Sequence, residues 1–309
     1  KVVRALGPRA LEPPDVVARE LDDTATAGEV VRSAIANALR RLMVHDAGVR
    51  LGDDPEAVHQ ARVATRRLRS DLRTFRDFLE PEWNESLREE LKWLGAELGT
   101  VRDGDVLVDR LRSHARRLPD EEHLVVERVI SRRSAERDDA HTELLDAYRS
   151  SRYVELLDRL VDAIREPLFT EAAGGRAAEV LPEVVKGPWK HLRDAVDALG
   201  DAPPDESLHD VRKRAKRCRY AVEAVAPVVG KRAREFAGRV ADVQEVLGEH
   251  QDAVIARTWL GKAAADLSPN EAYAAGMLAG VELGAASTSR DAFPAAWKSA
   301  AKKQLRTWL

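Results

Sequence analysis

Two stretches of this 309-residue chain, HQARVATRRLRSDLRTFRDFL at residues 59–79 and HDVRKRAKRCRYAVEAV at residues 209–225, repeat one pattern 150 positions apart. The offset lays His209 on His59, Arg212 on Arg62, Lys216 on Arg66, Arg217 on Arg67 and Arg219 on Arg69. Apolar positions agree as well, with Cys218, Val222 and Val225 on Leu68, Leu72 and Phe75. An acidic, proline-containing turn precedes each copy, GDDPEAVH in one case and APPDESLH in the other. Downstream, LGTVRDGDV from Leu98 is answered by LGEHQDAV from Leu247, and upstream Lys190 lies as far before His209 as Arg40 before His59. Matches in one order and spacing are a duplication, so the fold must accommodate two related halves.

Within the first copy the side chains sort onto two faces. At about 100° per residue, Ala61, Ala64, Leu68, Leu72, Phe75 and Leu79 form one apolar stripe, as a core-facing helix requires. His59, Arg62, Arg66, Arg69, Arg73 and Arg76 form a second stripe, spaced by three or four residues so that neighbouring Cβ atoms lie roughly 5–6 Å apart. Like charges that close repel, and Asp71 falls on the apolar side where it does not offset them. The second stripe, His209, Arg212, Lys216 and Arg219, is shorter because Glu223 stands where the first copy has Arg73. An external polyanion answers such a stripe. The alternative is a solvated face or interhelical ion pairs, with Asp103, Asp105 and Asp252 as partners and Arg67 and Arg217, off the main stripe, as the cations best placed to use them. The histidines either cap and pack, or donate hydrogen bonds to an anion at a helix N-terminus.

No run of alternating strand pattern occurs, so the chain reads as all-α, built of up-and-down helices. The periodicity predicts helices over residues 29–45, ended by Gly48 and the LGDDP turn, then 59–79, 83–98 stopping at Gly99, 105–118, and 121–164 with a break near Ser150 and Ser151. Residues 166–179, with Pro167, Gly174 and Gly175, read as a connection between a first repeat, 29–165, and a second, 180–309. The second repeat is predicted to carry helices over 209–225, 240–254, 271–283 and 292–309, the last anchored by Trp297 and Trp308. Residues 1–28, with Gly7, Pro8, Pro13 and Pro14 and no period, read as a linker contributing little core. Two bundles related by a pseudo-twofold axis would bring the basic helices toward one shared surface.

Composition bounds the function. A net charge of −3 argues against coating by nucleic acid through bulk charge, so an anion site must be local. The single cysteine, Cys218, allows no internal disulfide, and no apolar run reaches the roughly 20 residues of a membrane span. With no signal-peptide core, the chain reads as cytoplasmic; it starts with Lys1 and reads as part of a longer protein. There is no P-loop, G-x-S-x-G or H-E-x-x-H motif, and the residues around His59 and His209 are mainly cations, which repel a divalent ion. Neither a metal, a cofactor nor catalysis is expected.

The pair H-x-x-R-V-x-x-R-R-L-R at residues 59–69 and H-x-x-R-x-x-x-K-R-x-R-Y at residues 209–220, with the segments after Leu98 and Leu247, resembles the CHAD family, the conserved histidine α-helical domains. The resemblance covers about residues 29–309. It implies an all-helical domain with internal twofold symmetry, a basic cleft or pore, and binding of long-chain inorganic polyphosphate, often on polyphosphate granules. Many members follow an N-terminal CYTH triphosphatase domain, which makes the lead segment a candidate remnant of one. No E-x-E-x-K signature is present, so that activity is not carried over. The family role falls on His59, Arg62, Arg66, Arg69, Arg73, His209, Arg212, Lys216 and Arg219, extended to Arg40 and Lys190 by their matched spacing and to Lys186 and Arg193 on the Lys190 face.

Three other readings compete with polyphosphate. The same cations attract a nucleic-acid backbone, although no aromatics interleave the basic stripe, and Trp83, Trp93, Trp189 and Trp259 read as core or interface anchors rather than base-stacking platforms. A histidine-dependent metal or phosphoryl site and a helical adaptor for an acidic protein are the remaining two.

Overall fold

Helix starts are encoded locally. Thr26 accepts from the Glu29 N–H at 3.3 Å while Glu29 accepts from the Thr26 N–H at 2.8 Å, a capping box that opens α1 (Ala27–Leu51). Asp54 caps α2 (Pro55–Thr74), with Pro55 in the first turn where its missing N–H is no loss, and Pro81 opens α3 (Pro81–Ala115) likewise. Helices α4 (Asp120–Arg149) and α5 (Ser151–Arg165) follow. Next come α6 (Ala177–Val180), α7 (Glu183–Asp197), α8 (Asp205–Val229), α9 (Lys231–Ala263) and α10 (Pro269–Ala300). The computed structural model describes residues 16, 21–22, 24–52 and 54–309. Among the described residues no strand forms beyond two isolated β-bridges, Thr26–Arg176 and Leu79–Phe169.

The duplication is a pseudo-twofold in space. Helices α2 and α8 begin 150 residues apart, as do α3 and α9. The Ala27 N–H donates to the Gly175 carbonyl and the Ala177 N–H to the Ala25 carbonyl, both at 2.9 Å. Shifting either bond by 150 residues turns it into the other, so the local axis passes between Thr26 and Arg176.

Several boundaries differ from the sequence reading: the helices predicted over 209–225 and 240–254 extend to Asp205–Val229 and Lys231–Ala263, and others differ for identifiable reasons. Helix α1 runs through Gly48 to Leu51, because Gly48 serves a helix crossing: a Cβ there would lie 2.6 Å from the Ala57 Cβ. The stop comes at Gly52, whose φ of 75° is the left-handed cap. The helices predicted over 83–98 and 105–118 are one helix, α3, in which Gly99 and Gly104 admit the side chains of Arg62 and Arg137. Those predicted over 271–283 and 292–309 are likewise joined in α10, where the Thr288 hydroxyl donates to the Gly284 carbonyl at 3.0 Å and stays compatible with the helix. Helix α10 stops at Ala300, short of the predicted end, and only a 3-10 turn, Lys303–Arg306, follows. The basic helix α2 ends at Thr74, leaving Arg76 in a 3-10 turn, Arg76–Phe78. The break at Ser150 holds, its hydroxyl accepting from the Tyr153 N–H. The linker reading of residues 1–28 falls largely outside the described residues; Val16, at 3% exposure, is part of the core and Ala27 already begins α1.

The core does not divide between the repeats. One apolar cluster takes Leu68 and Leu72 from α2, Cys218 and Val222 from α8, and neighbours from both halves. A second joins the far ends of the long hairpins: Leu107 and Leu111 of α3, Val126 and Ile130 of α4, Leu260 of α9 and Leu278 of α10. Beside it the buried Glu282 carboxylate accepts from Arg110 Nε and lies 2.7 Å from His114 Nδ1, while Arg110 also donates to Glu249. The repeats are therefore held together at two places, at the basic helices and at the hairpin tips.

Glycines of opposite character test this packing. Gly48→Ala must push α1 from α2 and should lower the denaturant midpoint. Gly238→Ala, in α9 where a Cβ meets nothing within 4 Å, should stabilise by about 1 kcal/mol through helix propensity. Equal effects of the two substitutions would contradict the crossing.

Candidate functional site

The two basic stripes meet. Helices α2 and α8 pack against each other, and Lys216 of α8 lies in the field of Arg66 and Arg62 from α2 and of Arg212 and Arg219 from its own helix. Burial first, and then these four guanidiniums, bring the Lys216 pKa down to about 7. Tyr220, only 6% exposed, sits beneath the same group: the guanidinium carbons of Arg66, Arg67 and Arg219 lie 5.6, 5.8 and 4.9 Å from its ring centre. The equivalent position in the first copy is Ser70, so a single aromatic serves both helices.

The inner arginines are held by matched devices. Arg62 donates to the Gly99 carbonyl at 2.6 Å and pairs with Asp103 at 3.0 Å. Arg212 approaches Gly248, where a Cβ would be 3.5 Å from its Nε. Asp252, the counterpart of Asp103, is raised in pKa by burial against the pull of Arg212 and Arg110. The sequence signal for this pairing was the repeated L-G segment, and these two arginines owe their placement to it. His59 is half-buried at the start of the stripe; burial and then Arg102 depress its pKa, with Glu56 acting in the opposite sense, so the imidazole is neutral at pH 7. The buried Nε atoms of Arg66, Arg212 and Arg219 and the Nδ1 of His209 have no hydrogen-bond partner.

Beside the crossing opens a cavity of about 850 Å³. Arg66, Arg69 and Arg73 of α2, Arg76, and Arg88 of α3 line it from one repeat, and His191, Lys213, Arg214, Lys216 and Arg217 from the other, with Asp77 and Glu183 as the acids. Burial, followed by repulsion from Arg217, Arg88 and Arg69, depresses the Arg73 pKa, while Glu85 opposes it.

Of the sequence-predicted residues, Arg66, Arg69, Arg73 and Lys216 line this cavity, and Arg62, Arg212 and Arg219 adjoin Lys216 at the crossing. Arg40, Lys186, Lys190 and Arg193 are exposed on α1 and α7 and lie outside the lining. Lys186 pairs with Glu183 at 2.6 Å and Arg193 with Asp194 at 3.0 Å. Helix α7 turns Glu183, Val184, Gly187, Pro188 and His191 toward the cavity, a face one residue out of phase with the predicted one. Arg67 is ion-paired, as expected of a cation off the main stripe, but its partners are Asp71 and Glu223 rather than Asp103, Asp105 or Asp252, and Arg217 lines the cavity rather than a salt bridge. Arg88 and Arg76 carried no distinguishing signal in a chain this rich in charge. Lys213 and Arg214, visible as extra charge off the main face, share Asp210 at 3.4 and 2.6 Å.

These elements define an all-helical domain of two pseudo-twofold-related repeats that juxtapose basic helices. A family model described as CHAD domain matches residues 33–261, and the chain belongs to the CHAD family. That family is polyphosphate-related and is not associated with a known catalytic activity. The uncharacterized Mycobacterium tuberculosis proteins MT2285 (strain CDC 1551 / Oshkosh) and Rv2226 (strain ATCC 25618 / H37Rv) are each 32% identical over 274 residues, covering 86% of this chain. The match takes 52% of each relative, so the chain spans about half the length of the curated relatives it matches. Among solved structures, PptA from Streptomyces chartreusis superposes with a TM-score of 0.73 at 25% identity, over 89% of this chain and all of that one. The CHAD domain from the plant Ricinus communis gives 0.70 at 28% identity, over 92% and 95%. Among the described residues no helix is long and apolar enough to cross a membrane, and no three His, Cys, Asp or Glu side chains gather as a metal site needs.

The Lys216 environment has a thermodynamic signature. The unfolded chain keeps this lysine protonated up to its ordinary value near 10.5, whereas the folded chain releases the proton at about 7. The folded state thus binds fewer protons between those values, so this group's penalty is full below pH 7 and is relieved as pH rises toward 10. Lys216→Met should raise stability at pH 6–7 by about 1–3 kcal/mol, with the advantage shrinking toward pH 10 in denaturant titrations. A variant less stable than the parent at pH 6 would contradict the repulsive environment.

Proposed function

We propose that this domain binds long-chain inorganic polyphosphate, without catalysis, on the surface where α2 and α8 meet. The observation that carries the reading is the convergence of Arg62, Arg66, Arg212 and Arg219 on Lys216, a cluster whose mutual repulsion an external polyanion relieves. Each internal phosphate brings about one negative charge and acceptor oxygens that arginine forks meet in pairs. The Nε atoms of Arg66 and Arg212, buried at the crossing without a hydrogen-bond partner, are donors that a phosphate oxygen drawn into it would satisfy. The cavity beside them lets a chain of phosphates run on past Arg69 and Arg73. In a cell that stores polyphosphate, such a domain would place the protein carrying it on the granules.

Nucleic acid is the competing polyanion. Tyr220, the aromatic in the second stripe, is buried under three arginines and offers no face to a base, which favours a ligand without bases. Titrations of polyphosphate and length-matched RNA across a salt series decide between them. Polyphosphate should bind more tightly, with log K falling against log salt by on the order of 0.7 per neutralised phosphate. Arg66→Glu and Arg69→Glu combined with Lys216→Glu should abolish binding. Association at pH 8 should take up roughly one proton, because the bound polyanion returns Lys216 to its charged form. Tighter RNA binding, or an unchanged affinity in the charge-reversed variant, would refute the proposal.

A further inference from the structure

The pseudo-twofold generates a second cleft, on the other side of the α2–α8 crossing. Its volume is about 290 Å³, and its wall is made by Ser33, Ala34, Asn37, Ala38 and Arg41 of α1. Moved by 150 residues these become Glu183, Val184, Gly187, Pro188 and His191, the α7 wall of the large cavity. The far end repeats the correspondence: Ala224 and Pro227 here, Thr74 and Asp77 there. The two clefts are therefore images of each other, and a ligand that reaches the crossing has two equivalent ways out in the ancestral geometry.

The images differ in charge most directly where Arg73 stands in one and Glu223 in the other. In the large cavity Arg73 stands near Arg217, and burial followed by repulsion from Arg217, Arg88 and Arg69 depresses the Arg73 pKa. In the second cleft Glu223 replaces Arg73 and accepts from Arg67, the image of Arg217, at 2.5 Å. Asp71, at 1% exposure, accepts from the same guanidinium at 2.9 Å, where the other repeat has Ala221. Glu223 also pairs with Arg219 at 3.4 Å. Arg41 and Arg67 are thus balanced by Asp71 and Glu223, whereas the large cavity keeps a large excess of cations.

We infer that Glu223 occupies, as a carboxylate belonging to the chain itself, the place that a ligand phosphate takes in the image cleft, and so confines the polyanion to one side of the crossing. This rests on the polyphosphate reading and adds to it a polarity: one open subsite bounded by Arg73 and Arg217, one closed by Arg67, Asp71 and Glu223. Neutralising Glu223 frees Arg67 and Arg219 on the cleft side while Asp71 continues to pair with Arg67, which keeps the fold's buried charge compensated.

Calorimetric titration with tripolyphosphate, short enough to report one subsite, tests this in the parent chain, in Glu223→Gln, in Glu223→Arg and in Arg73→Glu. The parent should bind one molecule per domain and the two Glu223 variants two. Arg73→Glu, which places an acid opposite Arg217, should bind none. Glu143→Gln removes the same charge from an exposed site on α4 and should leave stoichiometry and affinity unchanged. Thermal melts identify any variant that fails to fold, and the second substitution at position 223 then carries the comparison. A parent that binds while both Glu223 variants keep its stoichiometry overturns the plug and leaves the polyphosphate reading standing. RNA preferred over polyphosphate, with Glu223→Gln still gaining a second tripolyphosphate, overturns that reading and leaves the plug. Absence of binding in every variant overturns both.

Discussion

Repulsion at the α2–α8 crossing is the constraint around which this domain is built. Burial, and then four guanidiniums gathered from two helices, bring the Lys216 ammonium down to a pKa of about 7. Left alone, such helices would separate. What holds them is on their opposite faces: Ala61, Ala64, Leu68 and Leu72 on α2 and Val211, Ala215, Cys218 and Val222 on α8 are all 0–1% exposed. Burying a leucine or valine side chain contributes about 1.5–3 kcal/mol, and Leu68, Leu72, Val211 and Val222, with the smaller alanines and Cys218 beside them, offset the electrostatic cost of the other face. The cluster is a strained arrangement sustained by the core beneath it, the usual condition of a binding site poised for an oppositely charged ligand.

The scaffold adds two further restraints. Gly99 and Gly248 let guanidiniums approach a helix backbone, Asp103 of α3 pairs with Arg62, and Asp252 of α9 lies in the field of Arg212. The same helices continue outward to the second apolar cluster, where Arg110, Glu249 and Glu282 tie the tips of the two repeats together. The basic helices are thereby restrained along their length, with Gly99 and Gly248 as corresponding points of approach for Arg62 and Arg212. The proposed binding site uses the symmetry where it is kept, at the crossing, and the proposed polarity arises where it is broken, at Arg73 and Glu223.

Much of this was legible in the residues. The repeat of H-x-x-R with a shared offset gave the pairing of α2 with α8, and the apolar stripe gave the buried face of α2 through Phe75 and Leu79. Helix ends were less legible, because glycine has two uses. Gly48, Gly99 and Gly104 permit close approach of a neighbour and not a turn, and only the partner helix distinguishes these cases. The phase of α7 was hidden for a related reason: its cavity face, from Glu183 to His191, carries few charges, while Lys186, Lys190 and Arg193 mark a neighbouring exposed face. Arg88 reaches the cavity through tertiary packing of α3, which leaves no trace in local sequence. The fate of Arg67 and Arg217, equivalent by repeat but one paired and one open, depended on two acids, Asp71 in the same helix and Glu223 in the partner helix, that the other repeat replaces with Ala221 and Arg73.

The central claim is that both helices form one site. Binding of a short polyphosphate of defined length should be measured for the parent, for Arg66→Gln with Arg69→Gln on α2, and for Arg212→Gln with Lys216→Gln on α8. A shared site predicts one chain bound per domain throughout, with affinity falling sharply when either helix is altered. Two chains bound to the parent, with one lost in each variant and the affinity of the other unchanged, would mean two independent stripes and would contradict the account.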